Sequence, residues 1–303
     1  METTLSGRRL TDVDIDVGGC FDLEASLPNS APMEASPVKI SRRLVGIAAA
    51  VALTASVPIV LNQVAEAATT KAIDLSDPRK KDIAMQIVSS AENSSLNWRG
   101  QFGYIEDIKD GRGYTAGIIG FCSGTGDMLE LVEYYTKQKP NNVLAKYLPA
   151  LRKVDGSDSH AGLGGYPAAW KTAAKDKAFQ DAQEHERDRV YFNPSLKLAK
   201  GDGLRALGQF AYYDAAVMHG FDGAKSIRNR ALKKAKPPSQ GGNETTYLNA
   251  FLDERVKEMK KEEAHSDTSR VDTAQRVFLK AGNFDLAPPL RWKVYGDPYE
   301  IKG

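Results

Sequence analysis

The chain has 303 residues, of which 42% are hydrophobic and 26% charged, with a formal net charge of +2. This composition is that of an ordinary soluble globular protein, and it excludes collagen-like and disulfide-rich chains. Because only two cysteines and four histidines occur, zinc-finger sites and a disulfide framework are excluded and a metallohydrolase is disfavoured. We expect neither a metal nor a cofactor.

The first part of the chain is predicted to be a disordered extension followed by an export signal. Residues 1–38 are polar and show no sustained periodicity. The pattern Ser41-Arg42-Arg43 then precedes an apolar run over 45–64 and the small-residue end Ala65-Glu66-Ala67. These are the three parts of a cleaved signal, and the arginine pair is typical of the twin-arginine type.

A single membrane anchor is the alternative interpretation of the same run. Pro58, Asn62 and Gln63 interrupt the run and weaken that alternative. The signal begins unusually late in the chain, which favours a later translation start. We therefore expect residues 1–68 to be removed and residues 69–303 to form a secreted monomer without stable membrane association.

The remaining part carries 36 Lys and Arg against 31 Asp and Glu, a formal net charge of +5. This charge is spread evenly, and no basic stripe interleaves with aromatic residues, so nucleic acid is not an expected partner. Cys122 is then the only thiol, and we expect a buried small apolar side chain rather than a nucleophile.

The first predicted helix places a carboxylate at its end. Asp77 and Pro78 form a helix start, a capping side chain followed by proline at the first helical position. Continuing its apolar rows leads to Glu92 in the last turn, at the edge of the buried face. Partial burial and the helix C-terminus both disfavour the charged form, as a general acid requires. A solvated glutamate at a helix end is an equally valid interpretation of the periodicity.

The next segment is predicted to be a β-hairpin. Two strand-like runs, 104–108 and 114–118, flank a turn that contains Asp110, Gly111 and Arg112. Asp110 should lie at the tip, ionised and more solvated than a carboxylate at a helix end. Taken alone, this aspartate needs no function, because Asp-Gly is favoured in hairpin turns for its backbone.

Beyond this hairpin the chain is predicted to be mostly helical, without internal repeats. Residues 155–168 are rich in Gly and Ser and are predicted to form a connector, a hinge between two lobes. Helices are expected over 127–136, 142–151 and 171–190, up to residue 220, from residue 244 and after residue 268.

Three charged residues of these later helices continue apolar stripes. They are Asp214, Arg255 and Arg270, each in register with the apolar residues of its own helix. A buried charge is too costly to persist unpaired. We therefore predict one cluster of the three residues at the junction of their helices, with a structural role.

The candidate carboxylates lie within long motifs that are similar to a known family. The chain resembles the bacterial chitosanases of glycoside hydrolase family 46 from residue 72 to its end. The similarity is carried by VSSAENSSLNW at 88–98, YIEDIKDGRGYTAG at 104–117, GFCSGTGD at 120–127, AYYD at 211–214, TTYLN at 245–249, DTSR at 267–270 and YGDPY at 295–299.

This resemblance implies a mainly helical, lysozyme-like α+β fold with a small β-hairpin region and two lobes separated by a substrate cleft. It implies endo-hydrolysis of β-1,4 glucosamine linkages in chitosan, with inversion at the anomeric carbon. Tryptophans of the family are matched by Trp98, Trp170 and Trp292, which we expect in the core.

The resemblance also implies roles for single residues. Glu92 matches the general acid and Asp110 the general base. Thr115 matches a residue that holds the attacking water, Arg112 a neighbour of the base, and Asp127 a carboxylate that binds substrate amines. The family also has a structural charge network, which Asp214, Arg255 and Arg270 match in agreement with the stripe argument.

Further carboxylates should line the cleft, because chitosan is a polycation at mildly acidic pH. The candidates are Glu106, Asp107 and Glu262, besides Asp127. Strand alternation allows only one of Glu106 and Asp107 to face the cleft. Surface solubility is the alternative explanation for both.

Three other functions remain open at this point. A lysozyme-like or chitinase-like enzyme would act on N-acetylated polysaccharide, which acidic subsites disfavour. A non-catalytic carbohydrate-binding protein is disfavoured by the two carboxylates, and a structural wall protein by the lack of repeats. The sequence does not specify the preferred acetylation pattern, the product length or the biological purpose.

Overall fold

The computed structural model describes residues 74–261 and 266–303. The expected extension and export signal lie outside these residues, as does Glu262. Within the described part, no helix is long and apolar enough to cross a membrane. The α-helices are α1 (Pro78–Glu92), α2 (Asp127–Gln138), α3 (Leu148–Val154), α4 (Tyr166–Ala173), α5 (Lys177–Arg187), α6 (Asn193–Gly201), α7 (Ala206–Leu232), α8 (Glu244–Met259) and α9 (Arg276–Lys280).

Two small antiparallel sheets accompany the helices. The first has the order β1 (Ile105–Asp107), β2 (Tyr114–Ala116) and β3 (Phe121–Cys122), with Thr115 opposite both Glu106 and Cys122. The second pairs β4 (Leu290–Val294) with β5 (Asp297–Ile301). The mainly helical fold with a small β-hairpin region is thus confirmed, whereas β3 and the β4–β5 hairpin were not predicted.

Helix α1 begins where its capping sequence predicts. Asp77 has extended backbone angles, and its Oδ1 accepts hydrogen bonds from the backbone N–H of Arg79 at 2.9 Å and of Lys80 at 3.3 Å. Pro78 follows at the first helical position, where no N–H is needed. The helix therefore has a fixed start, and its opposite end places Glu92.

Replacement of Asp77 by alanine should lower the free energy of unfolding by about 1 kcal/mol, because two N–H groups lose their acceptor. Urea unfolding measures this loss. Asp77→Asn keeps a capping oxygen and should remain within about 0.5 kcal/mol of the unchanged protein. Equal stability of the alanine and asparagine variants would contradict the capping role.

The core is built around α7. Every residue of α7 from 206 to 216 is buried, because α6 and α8 pack against this helix. The expectation for the three tryptophans is confirmed: Trp98, Trp170 and Trp292 are buried. Each indole N–H has an acceptor, such as the Phe102 carbonyl at 3.0 Å from Trp170 Nε1. Satisfied donors of this kind are typical of core tryptophans.

Several predicted bounds were wrong. The helix expected over 142–151 begins as α-helix only at Leu148, after a 3₁₀ turn over Ala145–Tyr147, and it ends at Val154. Residues 171–190 do not form one helix, because the chain turns at 174–176 between α4 and α5. The connector ends at residue 165, where α4 begins with a proline in its first turn. Helix α7 continues past residue 220, but Gly220 breaks it with φ 70° and ψ 163°. The arrangement as two lobes stays a prediction.

Two short segments are wound as π-helix. They are Asp188–Phe192, between α5 and α6, and Arg270–Gln275, directly before α9. A π-turn accommodates an extra residue and shifts the side chains that follow relative to α-helical periodicity. α-Helical periodicity therefore does not hold along the whole of these segments.

Candidate active site

A cavity of about 520 Å³ collects most of the predicted site residues. Its lining includes Glu92 from the end of α1, Asp110 and Arg112 from the β1–β2 loop, and Thr115 from β2. Asp127 and Arg270 also line it. Glu92 and Arg270, which are 178 positions apart in the chain, thus line the same cavity.

Glu92 is the last residue of α1, and its side chain is 25% exposed. Its Oε1 lies 2.9 Å from Nη1 of Arg270. The helix position and the partial burial agree with the sequence argument, but the arginine was not anticipated.

Asp110 is fixed by its own loop. Its Oδ1 accepts a hydrogen bond from the Arg112 backbone N–H at 3.1 Å, and its Oδ2 accepts one from Arg112 Nε at 2.8 Å. The side chain is only 16% exposed. The expectation that Asp110 is more solvated than Glu92 is therefore wrong, because the arginine folds back over the carboxylate.

Asp107 also stabilises the β1–β2 loop. Asp107 Oδ1 accepts a hydrogen bond from the Lys109 backbone N–H at 3.0 Å, and Oδ2 lies 3.6 Å from His160 Nε2. The His160 ring stacks on Tyr114 with a centroid distance of 4.0 Å. Neither Asp107 nor Glu106 lines the cavity. The prediction that one of them faces the cleft is not supported, because Asp107 turns to the loop and Glu106 is exposed beside the Tyr104 hydroxyl.

Thr115 and Cys122 lie opposite each other on β2 and β3, and both line the cavity. Thr115 is buried on β2, and its Oγ1 lies 3.5 Å from Sγ of Cys122 on β3. The thiol also donates to the Gly120 carbonyl at 3.2 Å. Burial raises the pKa of the Cys122 thiol. The prediction of a buried cysteine is therefore confirmed.

Asp127 opens helix α2 and is held on one oxygen only. Its Oδ1 accepts hydrogen bonds from the backbone N–H of Cys122 at 2.9 Å, from Met128 N–H at 2.9 Å and from the Thr125 hydroxyl at 2.8 Å. Burial raises the pKa of the carboxyl against the opposing effect of these bonds. A cationic group placed beside Oδ2 would offset that burial.

The predicted charge cluster lies directly behind Glu92. Asp214 Oδ2 is 2.6 Å from Arg255 Nη1, and Oδ1 is 2.7 Å from Arg270 Nη2. Gln275 Nε2 donates to Oδ2 at 2.6 Å, and all four residues are buried. Burial acts to raise the pKa of Asp214, but the two guanidinium groups outweigh it and hold the pKa at about 2. Arg270 joins this cluster to Glu92, so the scaffold and the cavity share one residue.

Several lining residues were missed from the sequence. Tyr191 lies in the first π-helical segment, where α-helical periodicity fails, and Arg270 was predicted for the charge cluster but not for the cavity. Met218 precedes the break in α7, and Tyr295 forms the turn of the unpredicted β4–β5 hairpin. Asp267 lies in the DTSR motif and Tyr295 in the YGDPY motif, so the resemblance offered a signal for both.

Comparison with known proteins identifies the family. The family model for Glycosyl hydrolase family 46 matches residues 86–290 of this chain. The chitosanase of Streptomyces sp. (strain N174) is 68% identical over 235 residues, which are 75% of this chain and 84% of that protein. The chitosanase of Bacillus subtilis (strain 168) is 38% identical over 235 residues, 72% of this chain and 84% of that protein.

Solved structures show the same similarity. A co-crystal structure of chitosanase OU01 with substrate is 59% identical, has a TM-score of 0.75 and covers 76% of this chain and 99% of that one. The structure of native chitosanase from Bacillus subtilis MY002 is 37% identical, with a TM-score of 0.69, and covers 75% and 99% of the two chains. The match over residues 86–290 and the identity to these relatives show that this chain belongs to glycosyl hydrolase family 46.

Proposed function

We propose that this chain is an endo-acting chitosanase that cleaves β-1,4 glucosamine linkages with inversion. The observation that carries the proposal is the presence of two carboxylates, Glu92 and Asp110, on separate elements that line one cavity. The relatives named above are chitosanases, and one of them is described with bound substrate. Both features support hydrolysis of a glucosamine polymer.

Glu92 acts as the general acid in this proposal. Arg270 contacts Oε1, which leaves Oε2 to carry the proton. That proton passes to the glycosidic oxygen as its bond to the anomeric carbon breaks. The end of α1 fixes the position of Glu92 at the cavity.

Asp110 acts as the general base. It takes a proton from a water molecule that attacks the anomeric carbon from the side opposite to the leaving oxygen. Arg112 fixes both carboxylate oxygens, so the carboxylate has one orientation. Thr115 lies on the adjacent strand, where its hydroxyl can hold the same water. An inverting pair requires the carboxyl groups to be about 6.5–9.5 Å apart, which leaves room for this water.

Asp127 binds a substrate amine in this proposal. Within the described residues, its side-chain hydrogen bonds go to Oδ1, so Oδ2 is the atom for an ammonium group. Asp267 lines the same cavity and adds a second carboxylate. Glu106 is exposed near the loop and remains a candidate for an outer contact, as does Glu262 from sequence alone.

Asp110→Asn should lower kcat by about 10²- to 10⁴-fold, because the amide cannot accept the proton of the water. The assay is digestion of defined glucosamine oligomers, followed by mass spectrometry for product length and by NMR for the first-formed anomer. We expect internal cleavage and the α-anomer. A β-anomer would exclude inversion, and faster cleavage of fully acetylated oligomers would favour a lysozyme-like or chitinase-like enzyme instead.

We also propose that residues 1–68 are removed during export and that the remaining chain acts outside the cell as a monomer. The sequence pattern over 41–67 supports this proposal. Intact mass measurement of the protein in culture medium gives the cleavage position, and light scattering gives the oligomeric state. Protein retained in the membrane fraction would favour an anchor.

A further inference from the structure

Large apolar or aromatic side chains that stay exposed are few in the described part of the chain. They are Ile108 (45% exposed), Val143 (43%), Val277 (43%) and Tyr295 (49%). Two of these four, Ile108 and Tyr295, line the cavity, although the described chain offers a large surface elsewhere. An exposed apolar side chain beside a polar site suggests a contact that forms with the ligand.

Tyr295 is held in an unfavourable backbone conformation. It forms the two-residue turn between β4 and β5 together with Gly296, and both have positive φ, 53° and 88°. Such a turn favours Asn or Asp at its first position, and a bulky aromatic residue there is strained. Strain of this kind is typical of residues selected for a function.

The turn is also hydrogen-bonded to the segment that carries Arg270, the partner of the proposed acid Glu92. The backbone N–H of Tyr295 donates to Ser269 Oγ at 2.9 Å, and Ser269 directly precedes Arg270, the partner of Glu92. Partial burial raises the pKa of the Tyr295 phenol against the opposing charge of Arg270, and the negative charges of Glu92 and Asp267 act in the same direction as burial. The tyrosine is therefore a neutral ring close to the proposed acid.

Ile108 lies beside the proposed base Asp110, as Tyr295 lies beside the proposed acid Glu92. It lies two residues before Asp110 in the same loop, between Asp107 and Lys109. The hydrogen bond from Lys109 N–H to Asp107 and the left-handed backbone of Lys109 (φ 60°) fix the chain on both sides of Ile108. The apolar side chain is thus kept at the cavity instead of turning into the core.

We propose that Tyr295 and Ile108 are substrate-positioning residues that contact the glucosamine units next to the scissile bond from the acid side and the base side. This inference rests on the proposed function. In a β-1,4-linked glucosamine unit the ring substituents are equatorial, so each ring face presents C–H groups to an apolar side chain. The tyrosine ring also attracts the ammonium group of a glucosamine, which an acetylated sugar lacks.

Tyr295→Asn is the sharpest test, because asparagine suits the turn. The variant should be at least as stable as the unchanged protein, yet its kcat/KM on glucosamine hexamer should fall about 5- to 30-fold, mainly through KM. Ile108→Ala should cause a loss of similar size. Tyr295→Phe keeps the ring and should stay within about threefold. The double variant Tyr295→Asn, Ile108→Ala should lose about the product of the single losses.

Val143→Ala and Val277→Ala are matched controls, because they remove equally exposed side chains outside the cavity. Both should retain the unchanged kcat/KM. If Tyr295→Asn and Ile108→Ala behave like these controls while the unchanged protein cleaves chitosan, the inference is overturned and the proposed function stands. If the unchanged protein does not cleave chitosan, the proposed function itself fails.

Discussion

Glu92→Gln is expected to lower kcat on chitosan by about 10³- to 10⁴-fold while leaving the fold intact. Glutamine has no proton to give to the leaving oxygen. Its amide oxygen can still accept from Arg270, which also keeps its contact with Asp214. The free energy of unfolding should therefore change by less than about 1 kcal/mol.

A substrate with an activated leaving group separates the acid from the base. A nitrophenyl leaving group departs without protonation, so Glu92→Gln should recover much of its lost rate on such a glucosaminide. Asp110→Asn should recover nothing, because the attacking water still lacks a base. Equal recovery in both variants would contradict the assignment of roles, and a Glu92→Gln variant with more than about a tenth of the original rate on chitosan would exclude Glu92 as the acid.

Asp214→Asn should reduce the free energy of unfolding by about 3–5 kcal/mol, because it leaves the buried Arg255 guanidinium without its counter-charge and leaves Arg270 with Glu92 alone. The side-chain volume is nearly unchanged, so the loss reports charge and not a cavity. Urea unfolding at pH 7 measures it. Asp181→Asn, which removes the exposed ion pair with Lys177, is the control and should cost at most about 1 kcal/mol.

The loss at Asp214 should also depend on pH. The pKa of Asp214 is about 2 in the folded protein, below the ordinary value of 3.8 that applies when unfolded. A lowered carboxyl pKa stabilises the fold above the unfolded pKa, and this contribution is lost as the pH falls through the folded pKa. The stability difference between the unchanged protein and Asp214→Asn should be constant near neutral pH and shrink between pH 4 and 2. A difference that is independent of pH over this range would contradict the role of the charge.

The local features of this protein could be predicted from its sequence. Capping at Asp77 and the end of α1 at Glu92 depend on neighbouring residues, and so does the hairpin around Asp110. The Asp214 cluster was also accessible, because a charge in an apolar stripe must find a partner wherever the helices meet. The functions of Glu92 and Asp110 needed more than this: only the family resemblance distinguished Asp110 from an ordinary turn residue.

The remaining features depend on conformations and contacts that no local sequence pattern specifies. No pattern near Glu92 reveals that Arg270, 178 positions later, lies 2.9 Å from it. The low exposure of Asp110 results from the fold of Arg112 over the carboxylate, which neither residue type dictates. Tyr295 was missed because its hairpin was not predicted, and Tyr191 because a π-turn shifts the helix face.

The break in α7 at Gly220 has an electrostatic consequence for the cavity. Val217, Met218 and Gly220 line it, and the non-helical backbone of Gly220 ends the first half of α7 there. Helix α1 also ends at the cavity, at Glu92, and both helix ends carry partial negative charge. Helix α2 begins there with the opposite sign, but the Asp127 carboxyl group lies at this end and accepts a hydrogen bond from the Met128 N–H. The two helix C-terminal ends therefore make the cavity more favourable for a cationic group than the positive overall charge of the protein suggests.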